Sequence, residues 1–187
     1  MIYFIHVEHL LELEKQEEWE AIRVLLFEKW KYNPISVEIL VRLLSECWYI
    51  LSEWDYSFHN KGLSFLTFQN TLIECTEFGI KNFITHSRFL CIAGYMISMS
   101  PYLFYADNKM HNSDLLYAEW EKKGLEMLRR SCVIGPADSV AKVLSLGSTS
   151  NLSDYNEAKK TLHPELSAIF PGETVIELYF KDVLSIR

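Results

Sequence analysis

Residues 33–54, NPISVEILVRLLSECWYILSEW, decide the fold of this chain. Asn33-Pro34 predicts the end of a helix, because proline disfavours helical geometry in the residue before it. Ser36 can cap the next helix by accepting a free backbone N–H with its hydroxyl. The apolar residues that follow cover most of that helix's circumference, so we predict an inner helix that packs against several neighbours. They are Val37, Ile39, Leu40, Val41, Leu43, Leu44, Cys47, Trp48, Ile50 and Leu51.

The same helix carries one polar stripe, at steps of four, three, four and four residues. The stripe is expected to be the part of the helix that faces a binding groove. Tyr49 would be its energetic centre, because an aromatic ring with a polar tip suits an interface. The predicted partner-binding residues of this stripe are Glu38, Arg42, Tyr49 and Glu53, and Ser45 lies on the same line.

Nearly all of the remaining sequence has helical periodicity, and no segment keeps the alternation typical of strands. The predicted class is therefore all-α, with antiparallel helix pairs arranged as a tetratricopeptide-like solenoid or a helical bundle of about eight helices. We expect one domain over residues 1–187, with repeat-like pairs in 1–146 and a C-terminal helical extension in 152–187. The segment 147–151 is the most linker-like part of the chain.

Four prolines recur at related intervals, at Pro34, Pro101, Pro136 and Pro171. Steps of about 34 residues are typical of tetratricopeptide repeats, which this chain resembles in degenerate form over about half its length. The best match is Gly124, with Leu128, Ser131 and Pro136 at the family's small–large–small–proline spacing. The resemblance implies that Gly124 lies at a close helix–helix contact. A generic helical bundle without true repeats is the alternative.

The composition favours some partners over others. The chain has 25 Asp and Glu against 18 Lys and Arg, a net charge of −7, so a basic protein is a better partner than nucleic acid. Residues 89–106 carry no charge before Asp107, but Pro101 interrupts them, so we predict a buried helix and no membrane partner. Met1–His9 lacks a basic region and does not read as a signal peptide.

The four cysteines, at positions 47, 75, 91 and 132, have no C-x-x-C spacing and are predicted to be free thiols. Free thiols favour a reducing compartment, and the expected location is cytoplasmic. His6, His9 and Glu12 lie loosely on one helical face, but a solvated face explains them better than a metal site. No catalytic, cofactor or metal residue is predicted, although a Cys–His pair brought together by folding stays open.

Two further residues are candidate partner contacts. Glu20 belongs to an acidic run from Glu8 that is either a solvated surface or a surface for a basic partner. Phe27 falls opposite the main apolar face of its predicted helix, so either another helix covers it or it is an exposed aromatic anchor.

The C-terminal stretch Phe170-Pro-Gly-Glu-Thr-Val-Ile-Glu-Leu-Tyr-Phe180 is similar to the tails of small bacterial immunity proteins that neutralise contact-dependent toxins. That resemblance implies a non-catalytic acidic inhibitor that binds a basic toxin domain, with a nuclease as one candidate. The first alternative is a helical-repeat adaptor or regulator that binds a peptide or small ligand. The second is an enzyme with a site assembled from scattered His, Cys and Glu residues.

Overall fold

A computed structural model describes residues 2–59, 61–106, 113–149 and 151–186. Within these ranges all the regular secondary structure is helical, with no strand, which confirms the all-α prediction. Eight of the ten helices have seven or more residues, in agreement with the expected number. The helices are α1 Leu10–Lys15, α2 Trp19–Tyr32, α3 Val37–Ser52, α4 Phe65–Asn82, α5 Ser87–Met99, α6 Ser113–Ile134, α7 Ser139–Gly147, α8 Leu152–Leu162, α9 Leu166–Ile169 and α10 Val175–Leu184.

Three helical hairpins share the same four-residue turn. In each turn the last residue donates its backbone N–H to the carbonyl of the first, in 33–36, 83–86 and 135–138. Ser36 caps α3 as predicted, since its hydroxyl accepts the Ile39 N–H at 3.3 Å. Asp138 caps α7 in the same way, by accepting the N–H groups of Val140 and Ala141 at 3.1 Å.

The spacing of these turns differs from the spacing of the prolines. The turns begin at Asn33, Phe83 and Gly135, which are 50 and 52 residues apart. Pro101 begins a 3-10 turn after α5, and Pro171 lies in the link before α10. Proline ends a helix in many contexts. The intervals between the prolines therefore do not match the intervals between the hairpin turns.

Helix α3 is the centre of the molecule, as its apolar circumference predicted. Twelve of its residues are buried, and it packs against α2, α4, α5 and α10. The second helices of the three hairpins, α3, α5 and α7, contact one another in a row, and α10 contacts α3 and α7. The C-terminal helix α10 therefore packs against the row formed by α3, α5 and α7.

The N-terminal segment lies beside this C-terminal helix. The Tyr3 hydroxyl donates to the Asp138 carboxylate at 2.5 Å, and the Tyr3 N–H donates to the Ile169 carbonyl at 3.1 Å. Phe4 contacts the rings of Phe170 and Phe180, which stack on each other with centroids 5.8 Å apart. Both ends of the chain are thus built into one core.

The uncharged segment at 89–106 is a buried helix followed by a turn. Helix α5 ends at Met99, and its residues 89–97 are buried. In the part of the chain that the structure describes, no helix has the length and apolar character needed to cross a membrane. After this segment the sequence predicts a polar break from Asp107 to Asn112, and these residues lie outside the described ranges.

Gly124 lies at a close helix–helix contact, as the repeat resemblance implied. A Cβ at Gly124 would lie 2.6 Å from the Ser98 backbone nitrogen and 2.7 Å from the Gly94 carbonyl oxygen. Gly94 is equally close to α6, so the two glycines let the backbones of α5 and α6 approach each other. The contact joins α6 to the preceding hairpin and not to its own partner α7.

This contact predicts an unusual response to Gly124→Ala. At an exposed helical site such a change gains about 1 kcal/mol, but here the added methyl meets backbone atoms that cannot rotate away. We expect Gly124→Ala to lower the free energy of unfolding and Gly124→Leu to lower it by about 1–3 kcal/mol or more. Urea unfolding measures both, with Lys122→Leu on the exposed face of α6 as the control. A Gly124→Ala midpoint at or above wild type would contradict the close approach.

Candidate functional site

The predicted polar stripe of α3 is buried in its middle and partly exposed toward its two ends. Glu38 lies half-exposed near one end and is paired with Arg88, Nη1 to Oε1 at 3.3 Å. Arg42 is 1% exposed, and Ser45 is buried with its hydroxyl donating to the Val41 carbonyl. The expectation that the whole stripe faces a groove is therefore wrong at Arg42, because other segments of the chain cover the middle of the helix.

Arg42 is the only cation in a buried cluster with three carboxylates, within the described residues. Its Nη2 lies 2.8 Å from Glu46 Oε1 and 3.6 Å from Glu14 Oε1, and its Nη1 lies 3.6 Å from Glu177 Oε2. The guanidinium also lies over the Phe4 ring, 5.4 Å from its centroid. We call Glu14, Arg42, Glu46 and Glu177 the buried charge cluster.

The cluster joins three distant segments of the chain. Glu14 of α1 accepts the Val175 N–H at the start of α10, at 2.9 Å. Glu177 of α10 accepts the Gly172 N–H at 2.9 Å and the Thr174 hydroxyl at 2.6 Å. Arg42 and Glu46 lie one turn apart on α3. The cluster therefore fastens α1 and α10 to α3.

The carboxylates of the cluster compete for one guanidinium. Glu46 Oε1 pairs with Arg42 Nη2 at 2.8 Å, its Oε2 is buried without a donor, and Glu14 Oε1, 3.6 Å from the same nitrogen, lies beyond hydrogen-bond distance. Burial, and then the Glu46 charge, raise the pKa of Glu14 to about 7. Burial also raises the pKa of Glu46. One cation cannot neutralise three buried anions, so protonation of a carboxyl relieves the excess charge.

The other end of the stripe forms an aromatic and acidic surface. The rings of Tyr49 on α3 and Tyr179 on α10 are half-buried, with centroids 6.1 Å apart and planes at 70°. The Tyr179 hydroxyl lies 2.7 Å from that of Tyr95. Burial raises the pKa of Tyr179, and the charges of Glu53 and Asp182 raise it further. We call Tyr49, Glu53, Tyr179 and Asp182 the tyrosine patch.

Sequence reasoning identified only half of this patch. Tyr49 and Glu53 were predicted, whereas Tyr179 and Asp182 were missed because they come from a helix far away in the chain. The Tyr-Phe pair at 179–180 was visible in the sequence, but nothing there shows against which helix it packs. Phe180 turns inward and is fully buried, so the helical phase of α10 leaves Tyr179 toward the surface.

The remaining two predicted contacts lie on α2. Glu20 is exposed and forms an ion pair with Arg23, which also donates to Thr71 of α4. Phe27 is half-buried against the core, 5.6 Å from the Trp30 ring, with Lys31 Nζ 4.9 Å from its centroid. Phe27 is therefore partly covered and is not a free-standing aromatic anchor.

A cavity of about 560 Å³ lies next to the buried charge cluster. Its walls are mostly apolar and include a few charged groups, a composition typical of sites for small ligands or side chains. The lining includes Ile2, Phe4, His6, Glu38, Arg88 and Glu177. Glu38, predicted as a partner contact, thus belongs to this cavity and not to the tyrosine patch.

Burial makes three of the four cysteines poor nucleophiles. All four thiols are free, and burial raises the pKa of Cys47, Cys75 and Cys91, which favours the unreactive thiol. His9 Nδ1 lies 2.9 Å from Glu12 Oε2 at the surface. Among the residues the structure describes, no group of three or more His, Cys, Asp or Glu side chains could hold a metal ion.

Loss of Arg42 and loss of Arg88, which pair with different glutamates of α3, should change the stability by very different amounts. Arg42→Leu leaves three buried carboxyls without a cation, which costs about 3–5 kcal/mol near pH 8. The loss should be smaller at pH 5, where protonation neutralises part of the cluster. Arg88→Leu breaks a partly exposed pair, with the Glu38 side chain 39% exposed and the Arg88 side chain 13% exposed, so it should cost less, about 1 kcal/mol.

Urea unfolding of the two variants at both pH values measures this difference. Equal losses for Arg42→Leu and Arg88→Leu, or a loss at Arg42 that does not change with pH, would show that the cluster does not hold excess negative charge.

Comparison with known proteins gives no relative for this chain: no family model matches it, and neither the curated proteins nor the solved structures contain a significant match.

Proposed function

We propose that this protein is a non-catalytic binding module, and most specifically an immunity protein that inhibits a basic toxin domain. The observation that carries the proposal is the tyrosine patch, where two half-buried tyrosine rings contact each other and the negative charges of Glu53 and Asp182 act on Tyr179. The fit to an immunity protein comes from the acidic net charge and from the C-terminal resemblance.

The chemistry of the patch suits a partner rich in Lys and Arg. A tyrosine face attracts a guanidinium or ammonium group through its ring quadrupole. Adjacent carboxylates add hydrogen bonds to the same cation. Aromatic residues near the centre of an interface supply most of its binding energy, while acidic residues mainly accelerate encounter with a basic surface.

A nuclease is a suitable target for such an inhibitor. An enzyme that binds nucleic acid presents cationic groups to the phosphates, so its active site is surrounded by positive charge. An acidic protein that covers this surface excludes the substrate without any reaction of its own. In this proposal the protein acts in the bacterial cytoplasm, where it protects the cell that makes the toxin.

The cavity beside Glu38 favours a second candidate function. With a volume of about 560 Å³ and apolar walls, it is large enough for a small ligand or a peptide side chain. In that case the protein is an adaptor or regulator, and the partner would contact Glu38 and Arg88 instead of the tyrosine patch.

The immunity proposal predicts a gene for a basic toxin domain beside the gene for this chain, and that domain is the partner to test. Co-expression should restore growth of cells that make the toxin, and the two proteins should bind directly in isothermal titration calorimetry. Tyr49→Ala should weaken binding by about 2 kcal/mol or more, because truncation removes the central aromatic contact. Tyr32→Ala, at a highly exposed tyrosine of α2, is the matched control and should leave binding unchanged.

Glu53→Gln separates electrostatic steering from contact energy. We expect slower association at low salt and a weaker dependence of the association rate on salt, because the change removes one charge and little volume. Surface plasmon resonance at two salt concentrations measures this effect. Glu38→Gln is the control for the tyrosine patch, and a larger effect of Glu38→Gln than of Tyr49→Ala would favour the cavity. Normal growth rescue by Tyr49→Ala together with unchanged affinity would rule out the patch.

A further inference from the structure

The buried charge cluster has one more acidic group than its surroundings can stabilise as anions. Glu177 accepts one hydrogen bond at each oxygen, and Glu46 lies closest to the Arg42 guanidinium, at 2.8 Å. Glu14 has one partner, the Val175 N–H on Oε2, and its Oε1 is buried without a donor. Glu14 is faced by Arg42 and Glu46 from α3 and by Glu177 from α10. His6 of the N-terminal segment and Glu173 of the link before α10 line the small cavity at Arg42 and Glu177.

We propose that the buried charge cluster is a pH-sensitive clasp, which holds α10 on α3 while Glu14 carries a proton and loosens α10 when Glu14 ionises. Three geometric facts support this assignment. The cluster has one guanidinium for three carboxyls, its members come from three segments, and Glu14 is hydrogen-bonded to the first residue of α10.

The hydrogen bond between Glu14 and the Val175 N–H explains why ionisation of Glu14 acts on α10 in particular. The Val175 N–H is one of the unpaired donors at the helix N-terminus, and Glu14 accepts it across 161 residues of sequence. Ionised Glu14 keeps this bond but adds a negative charge beside Glu46 and Glu177. Opening α10 removes Glu177 from the cluster and exposes Glu14 to water, so opening relieves the repulsion.

The direction of the pH effect follows from the pKa of Glu14, which is about 7 with α10 closed and about 4.5, the ordinary value, when Glu14 is exposed. The closed state therefore binds more protons than the open state between these values. The Glu14 proton stabilises the closed state fully below pH 4.5. This stabilisation decreases as the pH rises and is lost above pH 7. Because each pKa unit corresponds to a tenfold change, the opening equilibrium should rise by at least about 10-fold across the window.

Amide hydrogen exchange of the full chain tests the clasp without any partner. Protection factors, corrected for the intrinsic pH dependence of exchange, are measured by mass spectrometry at pH 5 and pH 8 for 175–184 and for α6. We expect wild-type protection in 175–184 to fall about 10-fold or more from pH 5 to pH 8, with α6 nearly unchanged. Glu14→Gln should remove most of this difference, because the glutamine amide still accepts the Val175 N–H and cannot ionise, which leaves only the smaller contribution of Glu46.

Glu12→Gln is the matched control, since Glu12 lies on the same helix but is exposed. It should keep the full wild-type pH dependence. Glu46→Gln, which removes the nearest competing carboxylate, should reduce it. The clasp is overturned if wild-type protection in 175–184 does not change with pH, if all helices lose protection equally, or if Glu14→Gln retains the wild-type difference.

A consequence for binding rests on the proposed function. Tyr179 and Asp182 belong to α10, whereas Tyr49 and Glu53 belong to the end of α3, so opening of the clasp separates the two halves of the tyrosine patch. Affinity for a partner should then decrease between pH 5 and pH 8 in wild type and much less in Glu14→Gln. A pH effect on exchange without one on affinity would leave the clasp intact and contradict the patch as the binding surface.

Discussion

A buried arginine on the central helix constrains the rest of this structure. Arg42 is 1% exposed, and an unpaired charge at that depth would be strongly destabilising. Its partners come from α1, from the next turn of α3 and from α10. The cation can therefore be buried only when both ends of the chain are in place, and this links the hairpins, the N-terminal segment and the C-terminal helix in one unit.

The sequence predicted those features that depend on short-range chemistry. Ser36 caps α3, Pro136 lies in the turn that ends α6, and the apolar circumference of α3 indicated its many neighbours, because caps, stops and helical phase act within a few residues. The close contact at Gly124 was implied by the repeat resemblance, whose spacing places a small residue where another helix backbone comes close. The fold class followed from the sum of such local signals.

The features that the sequence did not predict depend on pairings between distant segments. The stripe from Glu38 to Glu53 lies along α3, as its spacing indicated, but its spacing could not show that α1 and α10 cover Arg42. Glu14 was one of several glutamates in an acidic run, and only the folded chain distinguishes it from its exposed neighbours. Tyr179 was missed for the same reason, because its position depends on how α10 packs.

The cluster and the tyrosine patch both include α3 and α10, and this gives the buried charges a role beyond stability. Replacing a buried ion pair by apolar residues is often neutral or stabilising, so stability alone is a weak reason to bury four charged groups. Apolar packing of Phe180 and Ile176 holds α10 against the core, but such contacts are non-directional. Hydrogen bonds and ion pairs fix the position of a helix along and around its axis. Glu177 stands two residues before Tyr179, and Glu46 stands three residues before Tyr49. The buried charge cluster thus sets the register in which Tyr49 and Tyr179 meet. The geometry of the tyrosine patch therefore depends on buried charges that are not part of the patch.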